Sequence, residues 1–163
     1  MTAEARLTEL GIDLPKAPRP MASYVTCARS GKLVFTAGHG PVRPDGTVVT
    51  GKVGADLDVD AGREAARLTA LGLLSTLRAE LGSLDRVVRI VKVLGMVNCP
   101  PDFGHHPEVI NGCSDLLVEV FGEAGRHARS AVGMGSLPRG MAVEDVVQAA
   151  SAFAAAGRGA NSA

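Results

Sequence analysis

The segment that most restricts the fold is VVRIVKVLGMV, residues 87–97. It is rich in β-branched residues, and both faces of its pleat are apolar apart from Arg89 and Lys92. A strand of this kind has to be covered on both sides. Two amphipathic segments are available to cover one side. Residues 60–81 carry Ala66, Ala70, Leu73, Leu74, Leu77 and Leu81 on a single helical stripe, with Arg67 and Arg78 at its border and Glu64 and Ser75 opposite. Arg63 falls on the stripe, but in the first turn, where its stem reaches water; Gly82 supplies the stop. The second segment opens at Pro107 and repeats apolar residues at Val109/Ile110, Cys113, Leu116/Leu117 and Val120/Phe121 before Gly122 and Gly125. With only two long helices to place, the other face of the strand is expected to be buried by self-association, most simply in a symmetric homo-oligomer.

The remaining segments read as short strands and turns. SYVTCARSGKLVFTAG, from Ser23, forms two β-rich runs around Ser30-Gly31-Lys32, which is hairpin chemistry. Pro44-Asp45-Gly46 makes a turn ahead of TVVT, a third short strand. Residues 128–149 read as two strands, ARSAVGM and AVEDVVQA, joined through Leu137-Pro138-Arg139-Gly140. The order β-β-(β)-α-β-α-β-β predicts an α+β sheet with two long helices on one face. Residues 1–21 are expected to be a helix followed by an extended arm carrying Pro15, Pro18 and Pro20, residues 22–153 a single domain, and residues 154–163 a frayed tail.

Composition narrows the partners. Lys plus Arg and Asp plus Glu each number 17, so no net field draws in nucleic acid or an anionic membrane. No apolar run approaches the roughly 20 residues of a membrane span, and MTAEARLTEL lacks the layout of a signal peptide, so a cytoplasmic protein is expected. The three cysteines, Cys27, Cys99 and Cys113, include no C-x-x-C pair, and no two of the four histidines show H-x-x-x-H spacing; neither a disulfide framework nor a metal site is expected.

Several motifs are weaker than they look. Residues 46–53, GTVVTGKV, fit a phosphate loop except at Val53, which has no hydroxyl for magnesium, and TVVT would not curl into an anion nest. Gly133-Met134-Gly135 is followed by Pro138 rather than by a helix. His105 and His106 read as polar groups ending a loop. His39, in the turn Gly38-His39-Gly40, is expected to be exposed, although a glycine-flanked ring there can approach a ligand. Asn111 and Asp115 lie four apart on the polar side of the second long helix, either as a solvated face or at the border of a cleft. Arg129, opening a strand, and Glu144, inside an apolar run, are each ordinary if exposed; together they can bind a carboxylate and direct a water.

Taken in order, Tyr24-Val25, TAGHGPV (36–42), N-x-x-x-D from Asn111, HARSAV (127–132), LPRG (137–140) and Val143-Glu144 resemble the reactive intermediate deaminase family, RidA or YjgF-like, in a longer subgroup. The resemblance covers residues 23–153. It implies a chorismate-mutase-like fold assembled as a homotrimer around a central barrel. It also implies an intersubunit cleft in which Arg129 grips a small carboxylate metabolite, lined by Tyr24, Gly38 and Asn111. The implied activity is cofactor-free hydrolysis of enamines and imines to 2-keto acids and ammonia, with Glu144 orienting or deprotonating water. Two positions depart from the family pattern: Ala131 stands where many members carry cysteine, and Ala37 where serine is common. These favour, as an alternative, a non-catalytic trimer that binds small molecules or partners through the same cleft. The ribonuclease activity attached to some family names has little physical support here, with balanced charge and no tryptophan.

Overall fold

A computed structural model describes residues 1–19 and 23–152. The frayed tail expected over 154–163, and Pro20 of the arm, lie outside the described residues. The elements are α1 (Ala3–Glu9), β1 (Cys27–Ser30), β2 (Leu33–Thr36), α2 (Val59–Leu81), β3 (Val87–Asn98), α3 (His106–Phe121), β4 (Ala128–Met134) and β5 (Val143–Ser151). The five strands form one mixed sheet in the order β1-β2-β5-β3-β4; only the β3–β4 pair is parallel. This is the expected α+β class.

Local chemistry fixes the long helices. The Asp58 carboxylate accepts from the Ala61 N–H at 2.8 Å and caps the start of α2, and Gly82, at φ 81°, ends it. Pro107 sits in the first turn of α3. The stripe Ala66, Ala70, Leu73, Leu74, Leu77 and Leu81 is buried against the sheet together with Val109, Ile110, Cys113, Leu116 and Leu117 of α3. Each buried leucine contributes roughly 2 kcal/mol through removal from water. The two helices cross closely at Gly112: a Cβ there would lie 1.9 Å from the Arg63 carbonyl oxygen, so only glycine fits.

The alternation of side chains sorts the strands into two faces. Val93 and Val97 of β3 and Val143, Val147 and Ala149 of β5 point toward the helices and are buried. The opposite face carries Leu94 and Met96, in register with Val146 and Glu144, and the exposed Leu33, Phe35, Val132 and Met134. The short α1 packs on α3, with Leu7 buried and the Glu4 carboxylate joined to the Arg78 guanidinium and to the Leu84 N–H.

One expectation about the connections is corrected. The TVVT segment makes only isolated bridges, Val42–Val48 and Thr50–Met141, and not a third strand, because the loop that follows turns away to cap α2. β4 and β5 are joined through Leu137-Pro138-Arg139-Gly140 as expected, and this connection is a crossover, because β3 lies between the two strands.

Candidate functional site

Arg129 pairs in register with Val93 and so projects from β4 to the helix side of the sheet, where it is half-buried against α3. Its Nη1 donates to Asn111 Oδ1 at 2.8 Å and to Ser114 Oγ at 3.1 Å. Ser114 Oγ lies 3.0 Å from Nε2 of His127, whose Nδ1–H donates to the Gly125 carbonyl at 2.6 Å. Because a carbonyl only accepts, Nδ1 carries the proton, and a neutral ring leaves Nε2 free to accept from the serine hydroxyl. Burial pushes the His127 pKa down, and the charge of Arg129 adds to that shift. The guanidinium is therefore held through one nitrogen by neutral groups. Its Nε–Nη2 edge makes no side-chain bond among the described residues, and that edge has the geometry for a bidentate carboxylate.

Glu144 lies on the other face. It pairs with Met96, and its carboxylate sits over Gly38: a Cβ on Gly38 would fall 1.9 Å from Oε1. Half-buried in this position, its carboxyl is pushed above the usual range by desolvation. Arg129 and Glu144 of one chain are thus separated by the sheet, because the one pairs with a helix-side residue and the other with a residue of the open face. Tyr24, 49% exposed, precedes β1, at the opposite edge of the sheet from β4. The structure therefore brings Arg129 and Asn111 together, brings Gly38 and Glu144 together, and places the two pairs, with Tyr24, on different surfaces of the chain.

The expected exposure of His39 is corrected, since it is only 6% exposed. Its Nδ1 lies 2.8 Å from the Ala37 carbonyl and its Nε2 2.7 Å from Thr76 Oγ1 on α2, so both ring nitrogens have partners within the chain. Burial pushes its pKa down, which keeps the ring neutral. Asn111 and Asp115 do not act as a pair, because Asp115 forms an ion pair with Arg63 at 2.6 Å on the outer surface.

Sequence reasoning missed four groups near Arg129. Ser114 stands three residues after Asn111, a spacing that puts both on one helical face, and His127 stands two before Arg129, on the same side of the strand. Asp145 and Cys113 are wholly buried between the sheet and α3. The parity of Val143, Val147 and Ala149 places Asp145, rather than Glu144, on the helix side. Among the described residues, no three His, Cys, Asp or Glu side chains cluster to hold a metal ion, and no helix is long and apolar enough to cross a membrane.

Comparison with known proteins agrees with this architecture. Residues 4–142 match the family described as "YjgF/chorismate_mutase-like, putative endoribonuclease". Protein TCP17 of Trypanosoma cruzi is 48% identical over 141 residues, covering 86% of this chain and 88% of that protein. The crystal structure of Atu1372 from Agrobacterium tumefaciens, a protein "with unknown function", superposes with a TM-score of 0.84 at 41% identity, over 92% of this chain and 94% of the other. A Shewanella oneidensis protein described as "a putative endoribonuclease" superposes with a TM-score of 0.88 at 32% identity, over 92% and 99% of the two chains. With the family match covering residues 4–142, which hold the long helices α2 and α3 and the strands β1–β4, the chain belongs to the YjgF family, the RidA-like proteins of chorismate-mutase-like fold.

Proposed function

We propose that the protein is a homotrimeric enamine/imine deaminase in which two half-sites meet across a subunit boundary. One half is Arg129 with Asn111, the other is Glu144 over Gly38, and Tyr24 lines the completed cleft. The observation that carries this reading is the free Nε–Nη2 edge of a guanidinium held in place by neutral partners. A cation so fixed, without an ion pair among the described residues, suits a small carboxylate-bearing metabolite. The separation of the two halves within one chain supports a site completed by a neighbour. The apolar residues exposed on the open sheet face, Leu33, Phe35, Val132 and Met134, supply the surface for that association.

The chemistry needs no covalent nucleophile. An enamine such as 2-aminoacrylate tautomerises to the imine, whose carbon is already electrophilic. Arg129 fixes the carboxylate, and Glu144, whose carboxyl burial pushes above its usual range, takes a proton from the attacking water. A C–O bond forms and that proton passes to nitrogen; the hydroxyl of the resulting carbinolamine then gives its own proton to the same nitrogen as the C–N bond breaks, and ammonia leaves a 2-keto acid. The test is ammonia release from an imine generated in situ from an amino acid. Arg129→Ala is expected to lower kcat/KM by about a hundredfold through loss of the bidentate contact. Equal rates would remove Arg129 from the mechanism.

A second reading is favoured by Ala131, which shares the helix-side face of β4 with Arg129 and offers it only a methyl group. Under that reading the trimer binds carboxylates without turning them over. Ligands then raise the melting temperature through Arg129 and release no ammonia.

A further inference from the structure

Asp145 is the only acid buried among the described residues, and neither of its carboxylate oxygens has a hydrogen-bond partner. An ionised carboxylate left unpaired in such a place is strongly disfavoured. The groups around it are few. From α3 comes the Cys113 thiol, which neighbours the carboxyl without hydrogen-bond geometry to either oxygen and is itself pushed well up by burial. From β4 comes the charge of Arg129, and from β5 that of Glu144. The segment that follows β2 presents His39, whose backbone exchanges two 3.0 Å hydrogen bonds with Asp145 while its ring is kept neutral. The buried polar residues of α2 are Thr69, Ser75 and Thr76, none of which titrates, and β3 presents Gly95 opposite. Among the described residues, Arg129 is thus the one cation acting on Asp145, and its side-chain hydrogen bonds go to neutral partners alone.

We propose that Asp145 is a positioning residue for the Arg129 anion site: as a neutral acid it leaves the guanidinium's charge to the ligand, and as a carboxylate it competes with the ligand from beneath. The inference rests on the reading of Arg129 as a carboxylate site. Desolvation raises the Asp145 carboxyl to about 8, so the group is mostly neutral at pH 7 and ionises as pH rises through that range. Ligand affinity is full below this range and declines above it. By linkage, a bound carboxylate strengthens Asp145's hold on its proton, so binding near pH 8 takes protons up from solution.

The test is calorimetric titration of the full chain with pyruvate between pH 6.5 and 9.5, in buffers of different ionisation heat. In the wild type, affinity is expected to fall about fivefold to tenfold across that range, with net proton uptake near pH 8. Asp145→Asn should lose both effects, whereas Cys113→Ala should keep them. A step that survives in Asp145→Asn, or vanishes only with Cys113→Ala, overturns the proposal. If Asp145→Asn does not fold, proton uptake by the wild type decides, and its absence counts against Asp145. Binding that needs Arg129 yet ignores pH overturns the Asp145 inference alone. No pyruvate binding, or binding unchanged in Arg129→Ala, overturns the carboxylate-site reading and this inference with it.

Discussion

At Gly38 the missing side chain is what gives Glu144 its position, since a β-carbon there would fall on Oε1. That oxygen ends a flexible side chain, so Gly38→Ala should push the carboxylate aside without breaking the sheet. The expected outcome is a fall of about tenfold or more in kcat for ammonia release, with a change in stability below about 1 kcal/mol. Thermal unfolding beside steady-state kinetics checks this, and a large loss of stability with kcat intact would contradict it. The residue scale is also where the sequence was hardest to read. Arg129, Asn111, Gly38 and Glu144 stood out because of their motifs, but nothing in the motifs showed that the sheet divides them. That division follows from pairing register, Arg129 with Val93 and Glu144 with Met96, which is set by long-range contacts. Two adjacent acids, Glu144 and Asp145, exchange faces under a one-residue slip, so choosing between them required the parity of the whole strand. His39 was misjudged for a similar reason: Thr76, its partner, comes from a helix 37 residues away.

The helices were legible because their signals are local. A cap at Asp58, an apolar stripe of constant period and a terminal Gly82 define α2, and its observed range, Val59–Leu81, departs from the expected start by one residue. Periodicity does not show how closely two helices approach. Gly112 reads as an ordinary interruption of α3, yet it lies where the backbone of α2 leaves no room for a β-carbon. Gly112→Ala therefore meets backbone, which no rotamer change relieves, and the helix pair must move apart. A loss of about 3 kcal/mol is expected from such overpacking. Chemical denaturation monitored by circular dichroism measures it, and a change below about 1 kcal/mol would contradict the tight crossing. The missing third strand has a comparable origin. TVVT has the composition of a strand, but each of its flanking bridges is isolated, and the next residues are committed to a loop that closes on Asn98 and then caps α2. Tertiary context outweighs β-propensity there.

At the scale of the molecule, β3 presents apolar residues on both faces. Its helix side, with Val93 and Val97, is buried under α2 and α3, and on the opposite face the sheet leaves Leu33 and Phe35 of β2 and Val132 and Met134 of β4 at the surface of the single chain. The two groups of site residues lie on different surfaces of the same chain, and the proposed intersubunit site would give both a role. The separation makes the two halves independently removable. Arg129→Ala destroys one half of every site and Glu144→Ala the other, so each variant should be inactive alone. Co-expressed with different tags and purified as mixed oligomers, they should regain activity, because an interface that takes its arginine from one variant and its glutamate from the other is intact. In every mixed trimer one of the three interfaces meets that condition, so the purified mixture should recover about a third of wild-type ammonia release. No recovery in oligomers shown to contain both tags would mean that the two residues serve one chain, and would contradict the account.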